Sequence, residues 1–211
     1  MDISNIRQDY TRHSLRKADA GDDPIKFFDK WLSQAIELKV IEPPAMGLST
    51  VSPDGQPSSR MVLLKGLEDE QLIFYSNYQS TKAAHIEANP KVALHFFWNE
   101  LERQVRFEGI VSKLPASDSD EYFASRPFES KIGALASPQS RVIANREFIE
   151  QQYSRLHRKF LSTEIQRPEF WGGYSFKPHR VEFWQGRASR LHDRLQFRLD
   201  KGEWICERLA P

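Results

Sequence analysis

From Ala45 onward the apolar residues of this chain fall into short, strand-length runs separated by turn signals. They do not alternate regularly with helices, as a parallel βαβ sheet requires. Residues 46–51 read as a first strand, and Ser52-Pro53-Asp54-Gly55 as the turn that reverses it. Residues 58–65 form a second strand, an acidic turn occupies 68–70, and 72–76 form a third. A short helix over 82–88 is closed by Asn89-Pro90, and strands at 92–98 and 104–114 then pair as a long hairpin. Strands return at 174–184, 195–199 and 204–208, the last two flanking the hairpin signal Asp200-Lys201-Gly202. The pattern predicts a mixed, mainly antiparallel β fold, barrel-like, with helices outside it.

Helices fill the remaining segments. Asp23 before Pro24 is a good N-cap with proline at the first helical position. Ile25, Phe28, Trp31, Leu32, Ala35 and Ile36 then recur at helical spacing until Pro43. Further helices are expected at 117–125 and 145–161, with an irregular stretch reaching Ser140 between them. Residues 1–22 are polar and charge-mixed, and read as an arm, either mobile or a short docking helix, on a single domain of 23–211.

The 39% of hydrophobic residues is enough for a sizeable core. A formal net charge of +1 gives no basis for broad nucleic-acid binding, so any anion site must be a local cluster. Cys206 is the single cysteine, the N-terminus lacks an apolar leader core, and no apolar run reaches membrane-spanning length. A soluble cytoplasmic protein is expected. His85, His157, His179 and His192 are scattered without metal-ligand spacing, and neither a glycine-rich phosphate loop nor a nucleophile elbow is present.

Four clusters could carry chemistry. Arg60 and Lys65 bracket an apolar strand and would point to opposite faces, as anion ligands or simply as solvated charges. Hydroxyls from Tyr75 to Thr81 lead through Lys82 into a helix N-terminus, which suits a phosphate or merely caps the helix with Ser80. Tyr122 and Arg126 share a helical face stopped by Pro127, with Ser130 just beyond. If the chain is extended after Ser189, Arg190, His192 and Arg194 share one face that carries no apolar residue and needs an anionic or polar partner.

These clusters resemble one family. V-E-F-W-Q-G-R-A-S-R-L-H-D-R at 181–194 is similar to the C-terminal signature of the pyridoxamine/pyridoxine 5′-phosphate oxidases. The R-M-V-L-L-K strand at 60–65, P-Q-S at 138–140 and the closing E-R-L-A-P match too, so the resemblance runs from about Arg7 to Pro211. It implies an FMN-binding split β-barrel and a homodimer with two FMN molecules at the subunit interface. FMN would be held by Arg60, Met61, Val62, Leu63, Leu64, Lys65, Tyr75, Ser76, Thr81, Lys82, Gln104, Gln139, Ser140, Trp184 and Arg194. The phosphorylated B6 substrate would meet Arg7, Tyr10, Lys65, Tyr122, Arg126, Ser130, Arg190 and His192, with Arg7 and Tyr10 on a short helix that closes over it.

Arg190 and His192 are the expected catalytic pair, Arg190 nearest the substrate C4′ carbon, from which hydride passes to the flavin before O2 reoxidises it. The family commonly has arginine where this chain has Thr81, so one charged phosphate contact is missing and Arg60 is the candidate to compensate. A split-barrel flavin reductase or a non-catalytic FMN or pyridoxal-phosphate carrier would not need Tyr122, Arg126, Arg190 and His192 together.

Overall fold

The computed structural model describes residues 1–5 and 9–211; Arg7 lies outside the described residues. After α1 (Lys17–Ala20) and α2 (Pro24–Glu37), the strands are β1 (Ala45–Val51), β2 (Pro57–Leu63), β3 (Gly66–Glu68) and β4 (Gln71–Asn77). Helix α3 (Thr81–Ala88) leads to the hairpin β5 (Lys91–Trp98) and β6 (Arg103–Lys113). Helices α4 (Ala116–Ser125), α5 (Phe128–Ala136) and α6 (Arg146–Phe160) follow, then β7 (Trp171–Gln185), β8 (Asp193–Asp200) and β9 (Glu203–Leu209).

All strand pairs are antiparallel, in the order β2-β1-β5-β6-β7-β4-β3, with β8 paired to β7 and β9 to β8. The long β7 divides the sheet: residues 171–176 lie beside β4 and 180–185 beside β8. The division falls at Pro178, which has no N–H to donate, opposite a register shift at Glu108/Gly109. Gly109 is required there, because a Cβ would collide with the Lys177 carbonyl oxygen and the Phe176 ring. We expect Gly109→Ala to lower stability by roughly 1–3 kcal/mol, read as a fall in thermal midpoint; an unchanged midpoint would mean the bulge is not under this constraint.

Alternation along the strands separates two faces. Inward residues Leu48, Phe96, Val105, Phe107, Phe183 and Phe197 share one core with α2, whose Asp23 side chain accepts the Ile25 and Lys26 N–H groups as an N-cap. Phe27 packs 4.7 Å from Phe183, and Phe28 packs 4.9 Å from both Phe96 and Phe107, so this helix covers the inner face of the sheet. A second core of Phe123, Ile132, Ile165 and Trp171 lies under α4–α6.

Three expectations need correction. The irregular stretch before Ser140 contains α5, because Pro127 ends one helix and stands at the N-cap of the next. The chain after Ser189 is not extended: Ala188–Arg190 is a 3-10 turn with Ser189 and Arg190 at φ 56° and 60°, so Arg190 does not share a strand face with His192 and Arg194. Tyr10 lies in irregular chain rather than a helix. Residues 12–20 of the arm dock on the body: Leu15 is buried, its N–H donates to Asp193, and Arg208 donates to its carbonyl. Among the described residues no helix is long and apolar enough to cross a membrane, and no His, Cys, Asp and Glu group could hold a metal.

Candidate active site

A cavity of about 480 Å³ opens where β2, β4, α3, α5 and the start of β7 meet. Met61, Val62, Leu63 and Lys65 line one side, and Tyr75, Ser76 and Lys82 another. Tyr122, Arg126, Ser130 and Gln139 close it from the helical side.

Lys82 is the cation at its floor. Its side chain is 9% exposed and donates to Ser76 Oγ (3.0 Å), Ser80 Oγ (3.0 Å) and Gln139 Oε1 (2.8 Å). All three acceptors are neutral, and no carboxylate pairs with Lys82 among the described residues. Burial, helped by the nearby Arg60 charge, pushes its pKa down to about 8. Ser80 occupies the N-cap position of α3, but its hydroxyl serves Lys82 and the Asn77 carbonyl instead of capping. The chain thus gathers polar oxygens and free N–H groups around an ammonium that lacks a counter-charge.

Arg126 is the second unmatched cation. Its guanidinium lies 4.6 Å from the Trp171 ring centroid and 5.5 Å from that of Phe123, and buried Nη1 has no hydrogen-bond partner among the described residues. An orphaned buried guanidinium donor is costly unless a ligand meets it. The adjoining wall is aromatic: Tyr75 stacks on Tyr122 at 3.8 Å and on Trp171 at 5.5 Å. Burial raises both phenol pKa values, Tyr75 to about 12, so both remain neutral donors at ordinary pH. Gly173 permits this wall, since a Cβ there would stand 2.8 Å from Tyr75 Cε1.

The remaining expected residues lie elsewhere. Leu64 is buried in the main core. Arg60 is not among the residues lining the cavity, although its charge is felt at Lys82; it donates to the Leu48 carbonyl, Thr50 Oγ1 and Ser58 Oγ, while exposed Thr81 is the first residue of α3. Ser140, at φ 68°, follows Gln139 outside the cavity lining.

Gln104, Trp184 and Arg194 form one register row across β6, β7 and β8, on the outward face. Arg194 donates to Glu182 Oε1 (2.8 Å) and the Ala210 carbonyl; Arg106 takes the other Glu182 oxygen (2.8 Å). His192 packs 4.6 Å from Trp184, and Tyr10 lies edge-on to both rings at 5.6 and 5.8 Å. His192 Nδ1 accepts the Arg187 N–H, which leaves Nε2 as the protonated nitrogen of the neutral ring. Burial, then the charge of Arg190, lowers the His192 pKa and favours that neutral form.

Trp171 and Trp184 stand at opposite ends of β7, which corresponds to roughly 40 Å of strand. One chain therefore gathers the expected residues into two clusters and does not bring the clusters together. Asn77, Gly133, Ala134, Ser137 and Trp171 also line the cavity without having been singled out from sequence. Three of these belong to or end the unread helix α5, and Trp171 precedes the predicted start of its strand.

Comparison with known proteins agrees with this geometry. A family model described as pyridoxamine 5′-phosphate oxidase matches residues 32–160, and one described as the pyridoxine 5′-phosphate oxidase C-terminal dimerisation region matches 171–211. A pyridoxine/pyridoxamine 5′-phosphate oxidase of Bacteroides fragilis is 50% identical over 212 residues, covering 100% of this chain and 90% of that protein. One from Leptospira interrogans is 51% identical over 210 residues, covering 99% and 98%. A crystal structure of PhzG from Burkholderia lata in complex with tetrahydrophenazine-1-carboxylic acid superposes with TM-score 0.90 at 28% identity, covering 96% of this chain and 100% of that one. An FMN-binding protein from Nostoc punctiforme, with TM-score 0.71 at 18% identity over 87% of this chain and 97% of that one, shares the split-barrel fold. This chain belongs to the pyridoxamine 5′-phosphate oxidase family.

Proposed function

We propose that the protein is an FMN-dependent oxidase that converts pyridoxamine 5′-phosphate or pyridoxine 5′-phosphate to pyridoxal 5′-phosphate. O2 is consumed and H2O2 released, and the amine substrate also takes up water and releases ammonia. The observation that carries this reading is the pair of unmatched cations in one aromatic-walled cavity, Lys82 and Arg126. Two anion sites in one cavity suit a phosphorylated cofactor beside a phosphorylated substrate.

FMN, when bound, supplies the hydride acceptor and the route to O2. Lys82, with Ser76 and Gln139, would hold its phosphate, and Met61, Val62, Leu63 and Lys65 would line its ring. Arg126, with Lys65, Tyr122 and Ser130, would hold the substrate phosphate. Arg190 and His192 would orient the substrate ring, His192 as a neutral Nε2–H donor. Holding the two rings together makes the transfer effectively unimolecular.

We place the site between two copies of this chain. The outward face that carries Gln104, Trp184 and Arg194 also exposes Met61, Leu63, Phe97 and Ile110. An apolar sheet face of this kind is suited to a second subunit. Docking there would bring Trp184, Arg190, His192 and Arg194 of one subunit to the cavity of the other. We also take 23–211 as one domain with an N-terminal arm, working in the cytoplasm with Cys206 reduced.

The test is purified protein with FMN, pyridoxamine 5′-phosphate and O2. Matching yields of pyridoxal 5′-phosphate and H2O2 are expected; absence of both overturns the proposal. FMN affinity should also depend on pH. Lys82 loses its proton above about pH 8 in the free protein, whereas a bound phosphate dianion holds the ammonium form. Above that pH the dissociation constant should rise by up to about tenfold per pH unit, since binding then takes up one proton. Flavin fluorescence titrations from pH 7 to 10 read this directly, and a flat profile would remove Lys82 from the phosphate site.

A further inference from the structure

Glu102 sits between β5 and β6, away from the cavity, and its conformation and burial both need a reason. It adopts the left-handed backbone region (φ 54°, ψ 39°), where a non-glycine residue is strained. It is also only 8% exposed, an unfavourable place for a carboxylate. Its bonds join three segments. Carboxylate Oε2 accepts the Arg12 backbone N–H at 3.0 Å, and Oε1 lies 4.0 Å from Arg12 Nε. Its carbonyl accepts the Gly186 N–H (2.8 Å) and Gln185 Nε2 (3.1 Å) at the end of β7. Glu102 therefore ties the N-terminal arm to the start of the segment that carries Arg190 and His192.

The tie sets the place of Tyr10, two residues before Arg12 and edge-on to both Trp184 and His192. Gly186 completes the seat, because a Cβ there would stand 2.6 Å from Tyr10 Cβ and Cγ. We propose that Glu102 is a positioning residue for the oxidase reaction: it latches the arm so that Tyr10 closes the substrate side of the His192 cluster. The latch acts through the Arg12 backbone N–H, and the exposed Arg12 side chain is secondary. This inference rests on the proposed function for its kinetic consequence, but the latch itself does not.

The latch is tested on the FMN-loaded protein by hydrogen exchange of peptides covering 9–16 and by steady-state kinetics. Glu102→Ala should speed exchange there and raise KM for pyridoxamine 5′-phosphate about tenfold, as expected for one hydrogen bond to a charged acceptor. It should leave kcat and FMN affinity within about twofold, because neither Lys82 nor the cavity wall is touched. Glu102→Gln keeps an oxygen acceptor and should restore most of KM and of the protection.

Arg12→Pro removes the N–H without disturbing Glu102 and should reproduce Glu102→Ala, whereas Arg12→Ala, which keeps the N–H, should not. These two variants decide the matter even if Glu102→Ala fails to fold. Unchanged exchange in Arg12→Pro, or equal effects of Arg12→Pro and Arg12→Ala, overturns the latch. If the wild-type protein shows no turnover, the proposed function fails while the exchange comparison still decides the latch.

Discussion

Replacing Arg126 by alanine is expected to raise KM for pyridoxamine 5′-phosphate by roughly 100-fold or more, since each hydrogen bond to a charged group contributes about 1.5–3 kcal/mol and a guanidinium can make two to a phosphate. FMN affinity should be unaffected, because the Lys82 cluster is built from Ser76, Ser80 and Gln139 and does not include Arg126. The free protein should not lose stability in proportion. Nη1 has no partner to lose, and only the stacking on Trp171 and Phe123 disappears. Arg126→Lys should recover only part of the loss, because an ammonium keeps the charge but not the planar pair of donors. Steady-state kinetics at saturating FMN distinguish the cases, and a KM within about threefold of wild type would remove Arg126 from the substrate site.

Lys82→Met should act on the other ligand and with opposite signs in the two states. FMN binding should weaken by about 100-fold, from loss of the charge-assisted contacts to phosphate. The FMN-free protein should be as stable as wild type or more so. Its buried ammonium has no counter-charge, and a thioether of similar length removes that desolvation without leaving a large cavity. The depressed pKa gives a further check on sign. Between about pH 8 and the ordinary lysine range, the unfolded chain binds a proton that the folded one lacks, so the wild-type free protein gains stability as pH rises through that window. Lys82→Met should lack this gain. Flavin titration and thermal unfolding with and without FMN measure both effects. Equal destabilisation of both states would mean that Lys82 is a structural residue.

The residues that announce themselves in the sequence are those whose chemistry is local. Helix α2 is legible from its Asp23-Pro24 start and its apolar spacing, and the strands from alternation and turn residues. Lys82 and Arg126 are visible as cations among hydroxyls and aromatics. What sequence hides is non-local. That Lys82 lacks a carboxylate depends on Ser76, Ser80 and Gln139 converging from β4, the α3 cap and the segment after α5. Helix α5 is masked by Pro127, which ends one helix while standing at the N-cap of the next, and Gly133 and Ala134 in the cavity wall are missed with it.

The face predicted for Arg190, His192 and Arg194 fails for a local reason. Ser189 and Arg190 take left-handed backbone angles that no residue type there requires, and the 3-10 turn they form keeps Arg190 out of β8, which begins at Asp193. The distance along β7 between Trp171 and Trp184 is likewise invisible in the matching motifs, although it sets the two residue clusters at opposite ends of one strand.

The shared site is tested most directly by mixing two variants, assayed at a substrate concentration near the wild-type KM, where each alone has little activity. Arg126→Ala spoils the cavity, and His192→Ala spoils the cluster that would reach the partner's cavity. Co-expressed and randomly assorted, half the dimers would be mixed, and each mixed dimer would have one site built wholly from unaltered halves. A shared site predicts recovery to about one quarter of wild-type oxidase activity per protein, with wild-type KM at the restored sites. Activity that remains at the level of the separate variants, in a preparation shown to contain mixed dimers, would contradict a site shared between two copies of this chain.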